Sequence, residues 1–415
     1  MNIQCLKCKG ADLSCGRSFC PIMAKSQAMF RIREKVVKED FFGASPAPFV
    51  GRFGYPFVNV GILSPVDTTE NAWEYDAPRH WAEHSYEIPK IIDFRSALVN
   101  SRFKSYVKQK STKLTEISQE VGMASKPVEV EINLKQKPKF RLNTDSYVAP
   151  MGPNASIENA KITSNPKISH KVEKVVSDTD LKANNAMVYL YKHGFDENFL
   201  SKILSVGNLG MKYSRKLVPT RWSITAVDDA IAKNMLEDIR KYPGADYTAF
   251  FGSYLGNYYL VLLFPDVWSY ELFETYMPKA SWNPSEKAQF MTDYEPYAGR
   301  KAYAENCGGG YYAARLPIIE KLREMKRQAS VLCLRFITGE YAVPLGVWVV
   351  REATRKAMQS KPISFSSKEL MLKYAKALVK KKFGYYLDQM ISESVLLKQM
   401  KEQSKLTSFL SSTIS

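Results

Sequence analysis

The sequence predicts a mixed α/β or α+β body, with a small four-cysteine module before it and a flexible tail after it. Three observations carry that prediction. Residues 128–134 alternate as Val-Glu-Val-Glu-Ile-Asn-Leu, the period of a half-buried strand with one apolar face. Helical periodicity at 180–193, 196–206, 310–328 and 346–360 is interleaved with strand-like runs at 246–251 and 258–264. Four of the six cysteines fall within the first twenty residues.

A chain of 415 residues is long enough for about two to three domains, each burying its own core. Apolar residues make up 45% and charged residues 24%, ordinary proportions for a globular protein. No apolar run approaches the length of a membrane span, and the first residues lack the apolar stretch of a secretion signal. A cytoplasmic protein with no membrane partner is expected. The charge balance is 59 − 42 = +17, so the surrounding field is positive and favours nucleic acid, nucleotides or anionic surfaces. The plainer reading of that charge is solubility, or the lysine-rich surface of a heat-adapted organism.

Residues 23–41 follow the cysteine module with helical periodicity through Phe30, Ile32, Val36 and Val37. The stretch from 41 to 65 is dense in Gly, Pro and aromatics, and its short apolar runs predict strands joined by tight turns. Residues 89–121 read as helix with a basic face formed by Arg95, Arg102, Lys104 and Lys108. Residues 135–170 are polar and rich in Pro, Asn and Ser, which suits an irregular excursion. The helix at 346–360 is expected to bury Val347, Val350 and Ala353 and to show Arg351 and Arg355. Ser366 followed by Glu369 matches a capping box, opening a long amphipathic helix toward residue 402 that carries Lys380, Lys381 and Lys382. The expected division is therefore 1–22 for the cysteine module, 23–134 for an N-terminal α/β part and 135–179 for the excursion. A C-terminal α/β part takes 180–402 and the tail 403–415.

The first module reads Cys5-Leu-Lys-Cys8-Lys-Gly10, then Cys15-Gly-Arg-Ser-Phe-Cys20. Two close pairs of thiolates, joined by a short loop with glycines at 10 and 16, can close a tetrahedral structural zinc site. A two-disulfide knot is the alternative, disfavoured by a reducing compartment.

The tail reads Gln403-Ser-Lys-Leu406-Thr-Ser-Phe409-Leu410. A glutamine, an aliphatic residue three positions on, and an aromatic–aliphatic pair after that form the box that docks chains on a DNA sliding clamp. On a single 3₁₀ turn Leu406, Phe409 and Leu410 share one side and make an apolar plug, with Gln403 hydrogen-bonding beside it. The plainer reading is the last turn of a packed helix.

Three further stretches are too particular for generic core. They are Phe49-Val-Gly-Arg52-Phe-Gly-Tyr55-Pro-Phe-Val-Asn59-Val-Gly61, then Ser214-Arg215-Lys216-Leu-Val-Pro-Thr-Arg221-Trp222-Ser, which continues to Asp228-Asp229. The third is Asp293-Tyr-Glu295-Pro-Tyr-Ala-Gly-Arg300-Lys301, which continues to Cys307-Gly-Gly-Gly-Tyr311-Tyr-Ala-Ala-Arg315. With the Cys-x2-Cys-Lys-Gly opening and the terminal box, the chain resembles the archaeal NreA DNA-repair family over essentially its whole length. That resemblance implies work in DNA-damage tolerance through the sliding clamp PCNA, and gives a pathway more firmly than a reaction.

The residues narrow the chemistry further. Arg52, Arg215, Lys216, Arg221, Arg300, Lys301 and Arg315 punctuate Gly/Pro/aromatic segments, where guanidinium forks suit phosphate oxygens. Phe53, Tyr55, Trp222 or Tyr311 would stack on a base. Asn59, Asp228, Asp229, Asp293 and Glu295 would hold magnesium or another divalent metal against a bound nucleotide. The plainer alternative is buried Arg–Asp pairs and turn glycines that hold a large mixed fold. His80-Trp-Ala-Glu83-His84 fits an inverted zinc-protease pattern, but surface histidines explain it better. Three function classes follow: a clamp-recruited factor that binds DNA or a nucleotide, a metal-dependent enzyme on nucleotides or nucleic acid, and a non-catalytic scaffold.

Overall fold

The computed structural model describes residues 8, 10, 12–13, 15, 17–35, 39–108, 111–138, 140, 149–278 and 280–402. The chain is a mixed α/β body with thirteen α-helices and two six-stranded sheets among these residues. It divides into two compact units, Met1–Asn234 with Glu340–Glu352, and Met235–Gly339 with Ala353–Ser415. No described helix is long and apolar enough to cross a membrane.

In the first unit, helix α1 (Pro21–Lys35) precedes the strands β1 (Asp40–Ser45), β2 (Ala47–Val50) and β3 (Phe57–Ser64). Helices α2 (Pro78–Glu83) and α3 (Ile88–Ala97) lead to β4 (Val99–Tyr106). Helix α4 (Lys113–Met123), β5 (Val128–Leu134) and β6 (Asn154–Ile162) complete the sheet, in the order β1-β5-β6-β4-β3-β2. All its pairings are antiparallel except β4 with β6. Strand β5 shows why it forms: Val128, Val130, Ile132 and Leu134 all face inward, where β-branched side chains pack well on a pleated surface. They meet Ile62, Val99, Ala155 and Ile157 of the same sheet, and α4 lays Ile117 and Val121 over them. Each such burial is worth about 1.5–3 kcal/mol.

Two expectations fail in this unit. The single basic helix over 89–121 is instead α3, β4 and α4. In β4 the inward residues are Val99, Ser101, Phe103 and Ser105, so the period of two is written largely in serines and an apolar scan misses it. The excursion at 135–179 contains β6, between β5 and β4, and helix α5 (His170–Ser177). Its inward residues are Ala155, Ile157 and Ala160, small enough to fill the space between larger neighbours. Beyond it lie α6 (Ala183–Lys192), α7 (Glu197–Ser205) and the first part of α8 (Thr220–Ile239). Asp196 caps α7 by accepting from the Phe199 amide at 2.7 Å.

The second unit is built on β7 (Thr248–Tyr254), β8 (Asn257–Phe264), β9 (Ser269–Tyr276), β10 (Gln289–Glu295), β11 (Ser330–Ile337) and β12 (Ile363–Ser364). The order is β10-β9-β11-β8-β7-β12, with β11 parallel to β9 and antiparallel to β8. Strand β11 is buried along its whole length, and after Ser330 its sequence is an apolar run broken by one arginine. One face of the sheet places Leu260, Leu262, Phe273, Leu334 and Phe336 against α11 (Lys368–Phe383) and α13 (Val395–Glu402). On the other, Tyr270 meets Tyr311 of α9 (Gly309–Met325), with ring centroids 5.0 Å apart.

The expected helix running to residue 402 is broken. Its N-cap is Ser367, one residue later than expected, accepting from the Leu370 amide at 3.3 Å. It ends at Gly384, whose φ of 65° is the left-handed conformation glycine adopts without penalty. Helices α12 (Asp388–Glu393) and α13 follow. The buried Glu271 carboxylate of β9 caps α13, accepting from Ser394 Oγ and from the Val395 and Leu396 amides at 3.0 Å. Burial pushes the pKa of Glu271 up against these hydrogen bonds.

Candidate nucleic-acid interface

The first two of the three sequence stretches come together in the first unit. The β2–β3 hairpin turns through residues 51–56, with the Phe57 amide donating to Gly54 O at 2.8 Å. The hairpin is tied to the start of α8: the Val50 amide donates to Thr220 Oγ1 at 2.9 Å, and Ser205 Oγ lies 2.8 Å from the same hydroxyl. The Leu217 amide donates to Val107 O at 2.9 Å, so residues 216–218 run beside the end of β4. These three ties hold Arg221 and Trp222 close to the hairpin tip. Tyr55 and Trp222 meet with ring centroids 5.1 Å apart, and the Arg52 guanidinium lies 5.0 Å over the Phe53 ring.

The β3–β4 register extends this surface. Phe57 pairs with Tyr106, Asn59 with Lys104, and Gly61 with Arg102. Their neighbours Val58, Val60 and Ser105 point into the core, so by alternation the first set faces outward. Phe57 and Tyr106 lie 5.1 Å apart. Phe53 is 77% exposed, Phe57 63% and Trp222 46%. Arg52, Arg102, Lys104, Lys216 and Arg221 are exposed or nearly so, and among the described residues no carboxylate pairs with any of them. The outward carboxylates Glu129 and Glu131 stand on β5, separated from β4 by β6, and Glu158 is exposed on β6 itself. The sheet face is thus polarised, positive and aromatic at its β3–β4 side. Sequence reasoning named Arg52, Arg221 and Trp222 but placed Arg102 and Lys104 on a helix and missed Tyr106 altogether. The signal was the period-two run 100–107.

Arg215 serves the loop rather than this surface, donating from Nε to Gly210 O at 2.7 Å and from Nη2 to Asp178 O at 2.9 Å. Asp228 sits fully buried against Arg351 of α10 (Trp348–Gln359), with Nε–Oδ1 and Nη2–Oδ2 both 2.9 Å. Arg351 and Arg355, expected on a solvated face, are therefore buried. Arg355, in the second unit, pairs with Glu320 at 3.0 Å. Asp229 pairs with Lys233 one turn on at 2.7 Å.

The third stretch builds the frame of the second unit. Asp293 takes Arg300 at 3.0 Å through one oxygen and the Cys307 amide at 2.8 Å through the other. Glu295 takes Arg315 at 2.6 Å and the Trp268 indole N–H at 2.9 Å. Arg315 is 2% exposed and Tyr311 is wholly buried, so neither presents itself to a ligand. Lys301 is exposed. Asp228, Asp293 and Glu295 are thus each matched by a buried or half-buried guanidinium, and their oxygens do not fit a divalent metal holding a nucleotide. Among the described residues no group of three or more His, Cys, Asp or Glu side chains could hold a metal ion. The His80 and His84 rings meet at a tilted 37° with centroids 4.0 Å apart, and the His80 Nε2 lies 3.3 Å from the Tyr86 hydroxyl.

Of the four module cysteines, Cys5 lies outside the described residues; Cys15 is exposed, and Cys8 and Cys20 are half-buried. The tail residues Gln403, Leu406, Phe409 and Leu410 also lie outside the described residues.

Comparison with known proteins follows the same two-part division of the chain only loosely. Residues 14–283 match the family model described as Archaeal Nre, N-terminal, and residues 295–409 the one described as Archaeal Nre, C-terminal. The chain is 37% identical over 404 residues to the DNA repair protein NreB of Archaeoglobus fulgidus, covering 97% of this chain and 98% of that one. It is 41% identical over 371 residues to the DNA repair protein NreA of the same organism, covering 88% and 91%. It is 36% identical over 345 residues to the DNA repair protein NreA of Haloferax volcanii, covering 79% and 80%. No solved structure matches it.

Proposed function

The chain belongs to the archaeal Nre family, and on that premise we propose that it is a DNA-repair protein whose first unit binds DNA and whose tail docks on the replication sliding clamp. The observation that carries the binding role is the β3–β4 face with its hairpin tip. Arginines and lysines that no carboxylate among the described residues pairs with surround exposed aromatic rings there, held by hydrogen bonds on both sides. Matched carboxylates elsewhere support a binding factor over a metal-dependent enzyme. The clamp role rests on the box at Gln403, Leu406, Phe409 and Leu410, which follows α13, a helix fixed to its sheet by Glu271.

A structural zinc in the first module rests on the spacing of its cysteines; the three described ones, Cys8, Cys15 and Cys20, are not gathered into a metal-holding cluster. Gly10 has a φ of +80°, and a Cβ there would stand 3.3 Å from Cys20 Sγ and 2.3 Å from Met23 Cγ. The turn after Cys8 thus brings its backbone against the Cys20 sulfur, a close approach only glycine permits. Cys5, Cys8, Cys15 and Cys20 would hold the ion, which would tie the segment together and do no chemistry.

The binding role is tested by titrating labelled DNA with the full chain between about 50 and 200 mM salt. Affinity should fall steeply as salt rises. The double variant Arg52→Ala/Arg221→Ala should bind roughly tenfold more weakly and lower the salt slope by about 1.5, two phosphate contacts' worth. Unchanged affinity and slope in that variant would remove this face from DNA binding.

A further inference from the structure

We infer that the face of the first unit selects single-stranded DNA, stacking unpaired bases on two aromatic pairs, Tyr55 with Trp222 and Phe57 with Tyr106. The inference rests on the DNA-binding reading above and names its substrate class. Its starting point is what the exposed rings offer. Four large aromatics and Phe53 stand in or near solvent within one hairpin and its neighbours, a concentration that soluble surfaces rarely carry without use. The pairs meet at tilted angles of 54° and 50°, so in neither does one ring cover the whole face of the other.

An intact duplex can use such rings only by unstacking a base step, at a cost of a few kcal/mol. Its bases are stacked on one another and present only groove edges and phosphates, which hydrogen-bonding side chains or an inserted helix read. A single strand has free base faces, and stacking them on protein aromatics is indifferent to sequence because every base has one. The cations fit the same ligand. Arg102 and Lys104 on β4 and Arg52 and Arg221 around the tip flank the aromatic pairs, placing positive charge along both sides of the rings, where a sugar–phosphate backbone would run. The outward hydrogen-bonding side chain between these cations is Asn59, paired with Lys104, which leaves little for base-specific readout. The expected ligand is therefore a stretch of unpaired DNA of no fixed sequence, such as the strand exposed at a gap or stalled fork.

The test uses the full chain and labelled oligonucleotides of one sequence as single-stranded DNA, duplex DNA, single-stranded RNA and an abasic DNA strand of equal length. Single-stranded DNA should bind about tenfold or more tighter than duplex, and the abasic strand should bind as weakly as duplex. Trp222→Ala should weaken single-strand binding by roughly five- to hundredfold and duplex binding far less, narrowing the preference between the two. Trp222→Phe, which keeps a ring, should restore most of it. Duplex bound as tightly as the single strand, an abasic strand bound as tightly as the intact one, or RNA preferred over DNA would each overturn this inference and leave the DNA-binding role standing. Failure to bind any of the four would overturn both. Because Trp222 is half exposed, its substitution leaves the core untouched, and a circular dichroism melt matching the unsubstituted chain confirms that the fold survives.

Discussion

Asp228→Ala is expected to destabilise the first unit by about 3–5 kcal/mol, because it strands a buried guanidinium without its counter-ion. Both oxygens of Asp228 are engaged by Arg351, at 2.9 Å each, and both residues are buried. Burial pulls the pKa of Arg351 down, but Asp228, with Glu197 behind it, lifts it above the ordinary value. A guanidinium is too strong a base to shed its proton inside a protein, so it keeps its charge when the carboxylate is removed, and the cost falls on the fold. For a unit of this size the loss corresponds to a melting temperature lower by roughly 6–20 °C. Thermal unfolding followed by circular dichroism reads it directly. Asp228→Asn, which keeps one acceptor oxygen, should lose less. An Asp228→Ala protein that melts with the unsubstituted chain yet fails in function would move Asp228 from the frame to the site.

Phe409→Ala is expected to release the chain from the clamp. A plug of this type binds at about micromolar strength, near −8 kcal/mol. Truncating an aromatic anchor in a desolvated pocket costs about 2–4 kcal/mol, a loss of roughly thirtyfold to a thousandfold. Calorimetric titration of the clamp with the full chain measures it. DNA affinity should stay as it was, since the tail and the β3–β4 face contribute to different partners. Equal clamp affinity of variant and parent would refute the assignment of Phe409 and with it the box at 403–410.

Local signals in the sequence were legible and long-range ones were not. The hairpin at 47–64 announces itself through Gly, Pro and aromatics, because a tight turn requires those residues wherever it sits. Strand β5 is equally plain, since one face is apolar and the other charged. Strand β4 is hidden because Ser101 and Ser105 occupy inward positions, and its Arg102 and Lys104 then mimic the basic face of a helix. The roles of the acidic residues were beyond reach. Asp228 and Arg351 stand 123 positions apart and Glu295 and Arg315 twenty apart, so nothing local says that one neutralises the other. Candidate phosphate ligands divided along the same line. Arg52 in its turn and Arg221 at the start of α8 remained available because no described carboxylate pairs with them, whereas Arg315 went into the core with Glu295. A basic residue in a Gly/aromatic stretch is thus ambiguous until its partners are known.

The most direct test of the central claim is to map where DNA touches the chain. Irradiating the full protein on a single-stranded DNA substituted with a photoreactive base, followed by mass spectrometry, reports those contacts residue by residue. Cross-links are expected on peptides that cover 52–57, 102–108 and 216–222, and they should weaken in the Arg52→Ala/Arg221→Ala protein. Cross-links confined to residues 235–339, with none on the hairpin or the start of α8, would contradict it.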